Sequence, residues 1–304
     1  MDKPLISLCI PTNGVVEWMF PVLDSIYAQG VDEELFEVVV TDNGSNEDFY
    51  SRMTAYRDAH SNIVYAKTNA MPFLNEIEAY KRASGAFIKF LNHRTMLTPG
   101  ALPIFIDFVE QNREQKPVVY FSNGMLNMPQ KVSRYDSFDS YVANLSYWSS
   151  WSTGMGFWKE DFDSIPEDTV FNELFPHTTV LFHVRDRSSY ILDNRVLLEE
   201  LPTGTIPKGR YDLFYAFAVE YPGIICDLLR SGSITTQTFL KVKDENLDFV
   251  AQLYFDYVLR KNPCSYDLSS YERSIQVYYS PSAANKKLRK LALSRLKGKL
   301  HLGS

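Results

Sequence analysis

The chain has 304 residues, 45% of them hydrophobic, 14% aromatic and 22% charged, with a formal net charge of −6. This composition excludes a disordered or fibrous chain and supplies the core of one large domain, or of one domain with a smaller appendage. The acidic balance excludes a nucleic-acid binder that works by broad phosphate neutralisation.

Taken in chain order, LISLCIP (5–11) is a continuous apolar run and predicts a buried strand; 16–28 has helical spacing and is closed by Gly30. FEVVVTD (36–42) predicts a second strand, followed by Asn43-Gly44-Ser45, a turn that also suits the cap of a helix starting near Glu47. NIVYAK (62–67) predicts a third strand, 73–83 a helix stopped by Gly85, AFIKFLN (86–92) a fourth strand and VVYFSN (118–123) a fifth. Strands and helices of these lengths in alternation predict an α/β fold with a mostly parallel central sheet. After Ser150 the alternation fades: WSTGMGFWKEDF (151–162) is rich in Gly and aromatics, 171–184 predicts a helix entered through Pro176, and SYILDN (189–194) a strand. From Tyr211 onward the pattern is helical over 211–230, 245–260, 267–279 and 283–300. The expected organisation is therefore 1–125, 126–210 and a helical C-terminal region 211–304.

In open α/β sheets ligands bind outside the carboxyl ends of the strands. That rule selects Pro11-Thr12-Asn13, Asp42-Asn43 and Asn92-His93-Arg94; helix caps and turns are the plainer use of the same residues. Cys9, Cys226 and Cys264 form neither a zinc spacing nor a disulfide framework, which suits a reducing, cytoplasmic setting. The N-terminal apolar run is short for a signal peptide, and no segment predicts a membrane span. From Ala283 to Ser304 there is no acid, while seven Lys and Arg are interspersed with leucines. That tail predicts either a peripheral membrane contact or a solvated end.

The ordered set ISLCIPT, VVVTDNGS, NIVYAKTN and ASGAFIKFLN…LTPGAL, over roughly 5–105, resembles the family-2 glycosyltransferases, inverting enzymes of GT-A fold. STGMGFW and the FPH element are similar to the members that build bacterial surface polysaccharides. The resemblance implies a nucleotide-sugar donor, UDP-sugar favoured, and a saccharide or lipid-linked saccharide acceptor. It assigns nucleotide-sugar contacts to Pro11, Thr12, Asn13, Asp42, Asn69, Asn92, His93 and Arg94, with Asn75 near the same cleft. A carboxylate such as Asp42 accepts hydrogen bonds from a base N–H or a ribose hydroxyl.

The family's two metal-binding acids align with Asn92 and Arg94. Hard divalent cations want several oxygen ligands, so Mg²⁺ or Mn²⁺ is not expected to be required in the usual way. A guanidinium reads phosphate oxygens bidentately, and Arg94, with His93, is the expected replacement for the cation. The resemblance also calls for a general base near 171–177. His177 suits it by its ordinary pKa of ~6.5; Glu173 comes next, then Asp161, Asp163 and Asp168. Trp151 and Trp158 are expected to offer rings to acceptor sugars, and Gly154 and Gly156 to let the backbone approach the donor sugar. The alternative is a non-catalytic nucleotide-sugar-binding module whose metal site is degenerate. A dinucleotide oxidoreductase is disfavoured because no G-x-G-x-x-G follows the first strand.

Overall fold

The structure, a computed structural model, describes residues 3–203 and 209–301, with side chains to 295. Its contacts divide the chain into two compact units: residues 1–141 with 148–202, and 142–147 with 203–304.

The first unit is built on ten strands: β1 Ile6–Thr12, β2 Phe36–Asp42, β3 Ile63–Lys67, β4 Phe87–Phe90, β5 Thr95–Leu97, β6 Val118–Phe121, β7 Val132–Tyr135, β8 Met155–Trp158, β9 Tyr190–Asp193 and β10 Leu198–Glu200. Eight form one sheet in the order β3-β2-β1-β4-β8-β6-β9-β7, and β5 and β10 form an antiparallel pair. β3, β2, β1 and β4 are mutually parallel; the apolar runs of β2, β1 and β4 are those of strands covered on both faces, whereas β3 is an edge strand with Val64 exposed. β1 and β2 are buried almost throughout. The covering helices are α1 Val16–Tyr27, α2 Glu47–Ala59, α3 Asn75–Arg82 and α4 Ala101–Asn112; α5 Phe138–Leu145, α6 Lys159–Asp163 and α7 Pro176–Leu181 follow. Met19, Leu23 and Ile26 of α1 and Leu102, Phe105 and Val109 of α4 pack on β1, β2 and β4 in one apolar core.

Two departures from the expectations in this unit bear on the site. MGFW is a strand, β8, inserted antiparallel between β4 and β6; its four buried residues carry no period-2 signal, so nothing local announces it. The helix expected over 171–184 shrinks to α7, because the Asn172 side chain accepts from the backbone N–H groups of Leu174 and Phe175 (2.9 and 2.8 Å) and turns the chain before Pro176 can start the helix.

The second unit is helical, as expected: α8 Leu213–Tyr215, a π-helical stretch Ala216–Glu220, α9 Tyr221–Arg230, α10 Thr236–Leu253, a second π-helical stretch Tyr254–Leu259, α11 Tyr271–Tyr278 and α12 Pro281–His301. α10 starts nine residues ahead of the expected 245 because Thr235 caps it, accepting from Thr238 N at 3.2 Å. Lys287 of the basic α12 reaches Asp244 and Asp248 on α10, 2.8 Å from each. Side chains of the tail beyond 295 lie outside the described residues, and among those described no helix is long and apolar enough to cross a membrane.

Candidate active site

β2, β1 and β4 lie side by side and parallel, so their carboxyl ends open on one edge of the sheet. Thr12 closes β1 there. Its Oγ accepts from Gly14 N (3.1 Å) and pairs with His93 Nδ1 from the loop after β4 (2.9 Å). The His93 ring meets Trp18 edge-on at 5.0 Å. Burial, aided by the adjoining Arg94 charge, lowers the His93 imidazole to about 4, so it is neutral near pH 7. Pro11 is half-buried in the ladder and Asn13 is exposed just beyond it. A Cβ on Gly44 would stand 2.0 Å from the Asn13 carbonyl oxygen, so only glycine lets the 42–44 turn lie directly on the end of β1.

Asp42 ends β2 fully buried. Its carboxylate accepts from Gly44 N (2.7 Å), Tyr65 Oη (2.9 Å) and Lys67 Nζ (2.9 Å). It does not cap α2; Asn46 does, accepting from Asp48 N and Phe49 N (3.1 and 3.3 Å). Lys67, missed in the sequence reading, brings a half-exposed ammonium to the edge and also donates to the Gly44 carbonyl. A lysine as the last residue of a predicted strand, at its carboxyl end, was the available signal. Asn69 is exposed after β3. Asn75 is instead a buried bracket, donating to the Thr12 and Thr41 carbonyls (3.2 and 2.9 Å) and accepting from Thr68 Oγ (2.7 Å).

The loop after β4 is a turn in which Asn92 Oδ1 accepts from Arg94 N (3.2 Å) and the Asn92 carbonyl from Thr95 N (2.8 Å). The Arg94 guanidinium bridges Glu200 Oε2 (2.7 Å) and the Leu201 carbonyl (3.1 Å). The β5–β10 pairing produces this contact, placing Glu200 opposite Thr95. The loop thus offers one amide oxygen already accepting a hydrogen bond, an imidazole and a guanidinium. Among the described residues no group of three or more His, Cys, Asp or Glu is arranged to hold a metal ion. This donor set does not fit a hard divalent cation.

The residues expected on the acceptor side separate. His177 lies 4% exposed on α7, its Nε2–H donated to the Ser149 carbonyl at 3.1 Å and its Nδ1 3.7 Å from the carboxyl of Glu76. Burial pushes the imidazole down to about 4. A group so enclosed and so weakly basic does not serve as the base expected of it. Glu173 is exposed on the turn leading into α7. Asp161 and Asp163 are paired, with Arg187 and Lys159, and Asp168 is exposed. Trp158 is a core residue: 2% exposed, its Nε1–H donated to the Pro117 carbonyl at 3.0 Å and its ring edge-on to Phe87 at 5.1 Å. It is therefore not available to a sugar, because β8 is an interior strand. Trp151 remains half-exposed, its ring edge-on to Trp148 at 4.5 Å. The space left by Gly154 is taken by the Tyr120 ring, 2.1 Å from where a Cβ would stand, and that left by Gly156 by Phe87 and Phe121. Both glycines make room for the core.

No curated protein matches the chain in sequence. Among solved structures, S. aureus TarS 1–349 in complex with UDP-GlcNAc superposes at a TM-score of 0.60 and 15% identity, over 98% of this chain and 92% of that one. Mannosyltransferase PcManGT from Pyrobaculum calidifontis, in complex with GDP-Man and Mn²⁺, does so at 0.52 and 16%, over 95% and 88%. At such identities the likeness is one of fold, and it identifies this fold as GT-A-like. The glycosyl transferase family 2 sequence profile matches residues 7–169, more than half of the 304 residues and every strand end that forms the edge described above; the chain belongs to glycosyl transferase family 2.

Proposed function

We propose that this glycosyltransferase moves a sugar from a nucleoside diphosphate sugar, with uridine the favoured base, to a saccharide or lipid-linked saccharide acceptor, with inversion, in the synthesis of bacterial surface polysaccharide. The observation that carries the reading is the convergence of Thr12, Asp42 and the Asn92–Arg94 loop on one edge of parallel strands in a family 2 chain. It is supported by the UDP and UDP-GlcNAc present in the TarS structures and the GDP-Man in that of PcManGT.

In this reading Pro11 to Asn13 line the nucleobase, and Asp42, with Tyr65 and Lys67 on its carboxylate, shapes the base and ribose site. Arg94 grips the diphosphate in place of a divalent cation, exchanging the Glu200 carboxylate for phosphate oxygens of higher charge. Glu173, exposed at the entrance to α7, takes the proton of the acceptor hydroxyl. The exposed Lys286, Arg289 and Lys290 of α12 suit a peripheral contact with an anionic membrane surface on its cytoplasmic side. Lys287, turned to Asp244 and Asp248, contributes little to such a contact.

The test is calorimetry of UDP and GDP with EDTA and with Mn²⁺, on the wild type and Arg94→Ala, followed by donor turnover. UDP binding that ignores the metal and weakens about tenfold or more in Arg94→Ala is expected, the order of one lost charge-assisted contact. Binding that requires Mn²⁺ overturns the role given to Arg94. A second reading, a non-catalytic nucleotide-sugar-binding module, is favoured by the Arg94–Glu200 pair and the enclosure of His177. UDP-sugars that bind yet stay intact, with and without acceptor saccharides, would establish it.

A further inference from the structure

Lys89 is a cation in the middle of a buried strand. It lies fully buried in β4, a strand whose other residues, Phe87, Ile88 and Phe90, are apolar and buried too. An ammonium taken out of water is strongly disfavoured unless every N–H finds an acceptor. Lys89 finds three: the carbonyl oxygens of Phe90 (2.8 Å), Thr153 (2.7 Å) and Met155 (3.1 Å). Three donors meet three acceptors, and no carboxylate pairs with it among the described residues. The Phe105 ring from α4 and the Phe121 ring from β6 each stand 5.7 Å from Nζ and add cation–π attraction.

The placement matters more than the count. β4 and β8 pair from Phe87↔Trp158 to Lys89↔Gly156, and the ladder stops there. Beyond it, the ammonium takes over: Thr153 and Met155 flank Gly154 in the turn that enters β8, and Phe90 is the last residue of β4 before the Asn92–Arg94 loop. One side chain therefore ties the loop proposed to hold the diphosphate to the segment that follows Trp151. A methylene chain of the same length would leave three carbonyls, those of Phe90 and Met155 buried and that of Thr153 partly so, without that donor.

We propose that Lys89 is a positioning residue for sugar transfer, whose ammonium fastens the 152–155 turn to the carboxyl end of β4 and so sets the 151–155 segment against the donor loop. The inference rests on the transferase reading above. Loss of the proton would remove one of the three donors and point a lone pair at a carbonyl oxygen. Burial pushes this ammonium down to about 7. The groups facing it are the rings of Phe105 and Phe121 and backbone oxygens, and no neighbouring charge contributes to the shift.

The test compares wild type and Lys89→Met for UDP binding by calorimetry and for UDP release from whichever UDP-sugar the wild type turns over. The expected result is UDP affinity within about twofold of wild type and KM for the donor unchanged, with kcat lowered about tenfold or more, the order for a misplaced reacting partner. Should Lys89→Met fail to fold, the wild type alone still decides: its kcat should fall as pH rises through and above about 7, with donor KM unmoved. A kcat in Lys89→Met equal to that of the wild type, or a wild-type kcat with no descending limb between about pH 6 and 9, the range around the lowered titration of this lysine, overturns the proposal. Absence of UDP binding and turnover in the wild type itself would instead overturn the transferase reading.

Discussion

Glu76 and His177 form a buried pair whose removal one member at a time should tilt the stability of the first unit in opposite directions with pH. Both are 4% exposed, and Glu76 Oε1, 3.7 Å from His177 Nδ1, has no hydrogen-bond partner among the described residues. Burial drives the Glu76 carboxyl well above its ordinary range and the His177 imidazole down to about 4. At any pH between the lowered imidazole and the raised carboxyl, the folded pair holds one proton, on Glu76. In the unfolded chain, between about pH 4.5 and 6.5, the pair also holds one proton, on the imidazole. Folding then neither takes up nor releases a proton at this pair, and its contribution to stability is flat. Glu76→Gln breaks the balance: unfolded His177 binds a proton below its ordinary 6.5, whereas the folded one does not until about 4. Stability is then fully present above pH 6.5 and lost as pH falls to about 4, by about 3 kcal/mol at 1.36 kcal/mol per pH unit. His177→Gln leaves the raised Glu76 carboxyl alone, so its stability is fully present below the ordinary carboxyl range and lost as pH rises. Urea unfolding followed by tryptophan fluorescence is the assay, because all four tryptophans, Trp18, Trp148, Trp151 and Trp158, belong to the first unit. Curves of stability against pH that run parallel for wild type and both variants would refute the reasoning.

Three other expectations follow from contacts described above. Glu200→Gln removes the carboxylate that competes for Arg94 and should tighten UDP binding severalfold in calorimetry with EDTA present, whereas a transfer site that does not use Arg94 would show no change. Gly154→Ala drives a methyl into the Tyr120 ring, which cannot swing aside because its hydroxyl lies 2.7 Å from both the Trp148 and the Trp151 carbonyl oxygens and shares its one proton between them. It should lower the stability of the first unit by about 3 kcal/mol, the upper end for overpacking, read as a lowered urea midpoint. Glu173→Gln should cut turnover of a UDP-sugar about a hundredfold while leaving UDP affinity unchanged, as for loss of a general base; equal turnover would move that role to another group.

The sequence by itself determined β1, β2 and β4 and the edge they share. LISLCIP, FEVVVTD and AFIKFLN are apolar runs too short for buried helices and bounded by turn residues, so β1, β2 and β4 and the polar residues at their ends follow from local physics. Parallel order then brings Thr12, Asp42 and Asn92–Arg94 to one side. What each group does there was decided by residues far away in the chain. Arg94 meets Glu200 across 106 positions, Lys89 meets Thr153 and Met155 across 64 and 66, and His177 meets the Ser149 carbonyl across 28. The insertion of β8 turned Trp158 inward and gave the space beside Gly154 to Tyr120. Periodicity reports which face of an element is apolar, but not which element will cover it. Burial, partners and proton affinity at this edge are properties of the assembled unit, and only the tertiary structure decided them.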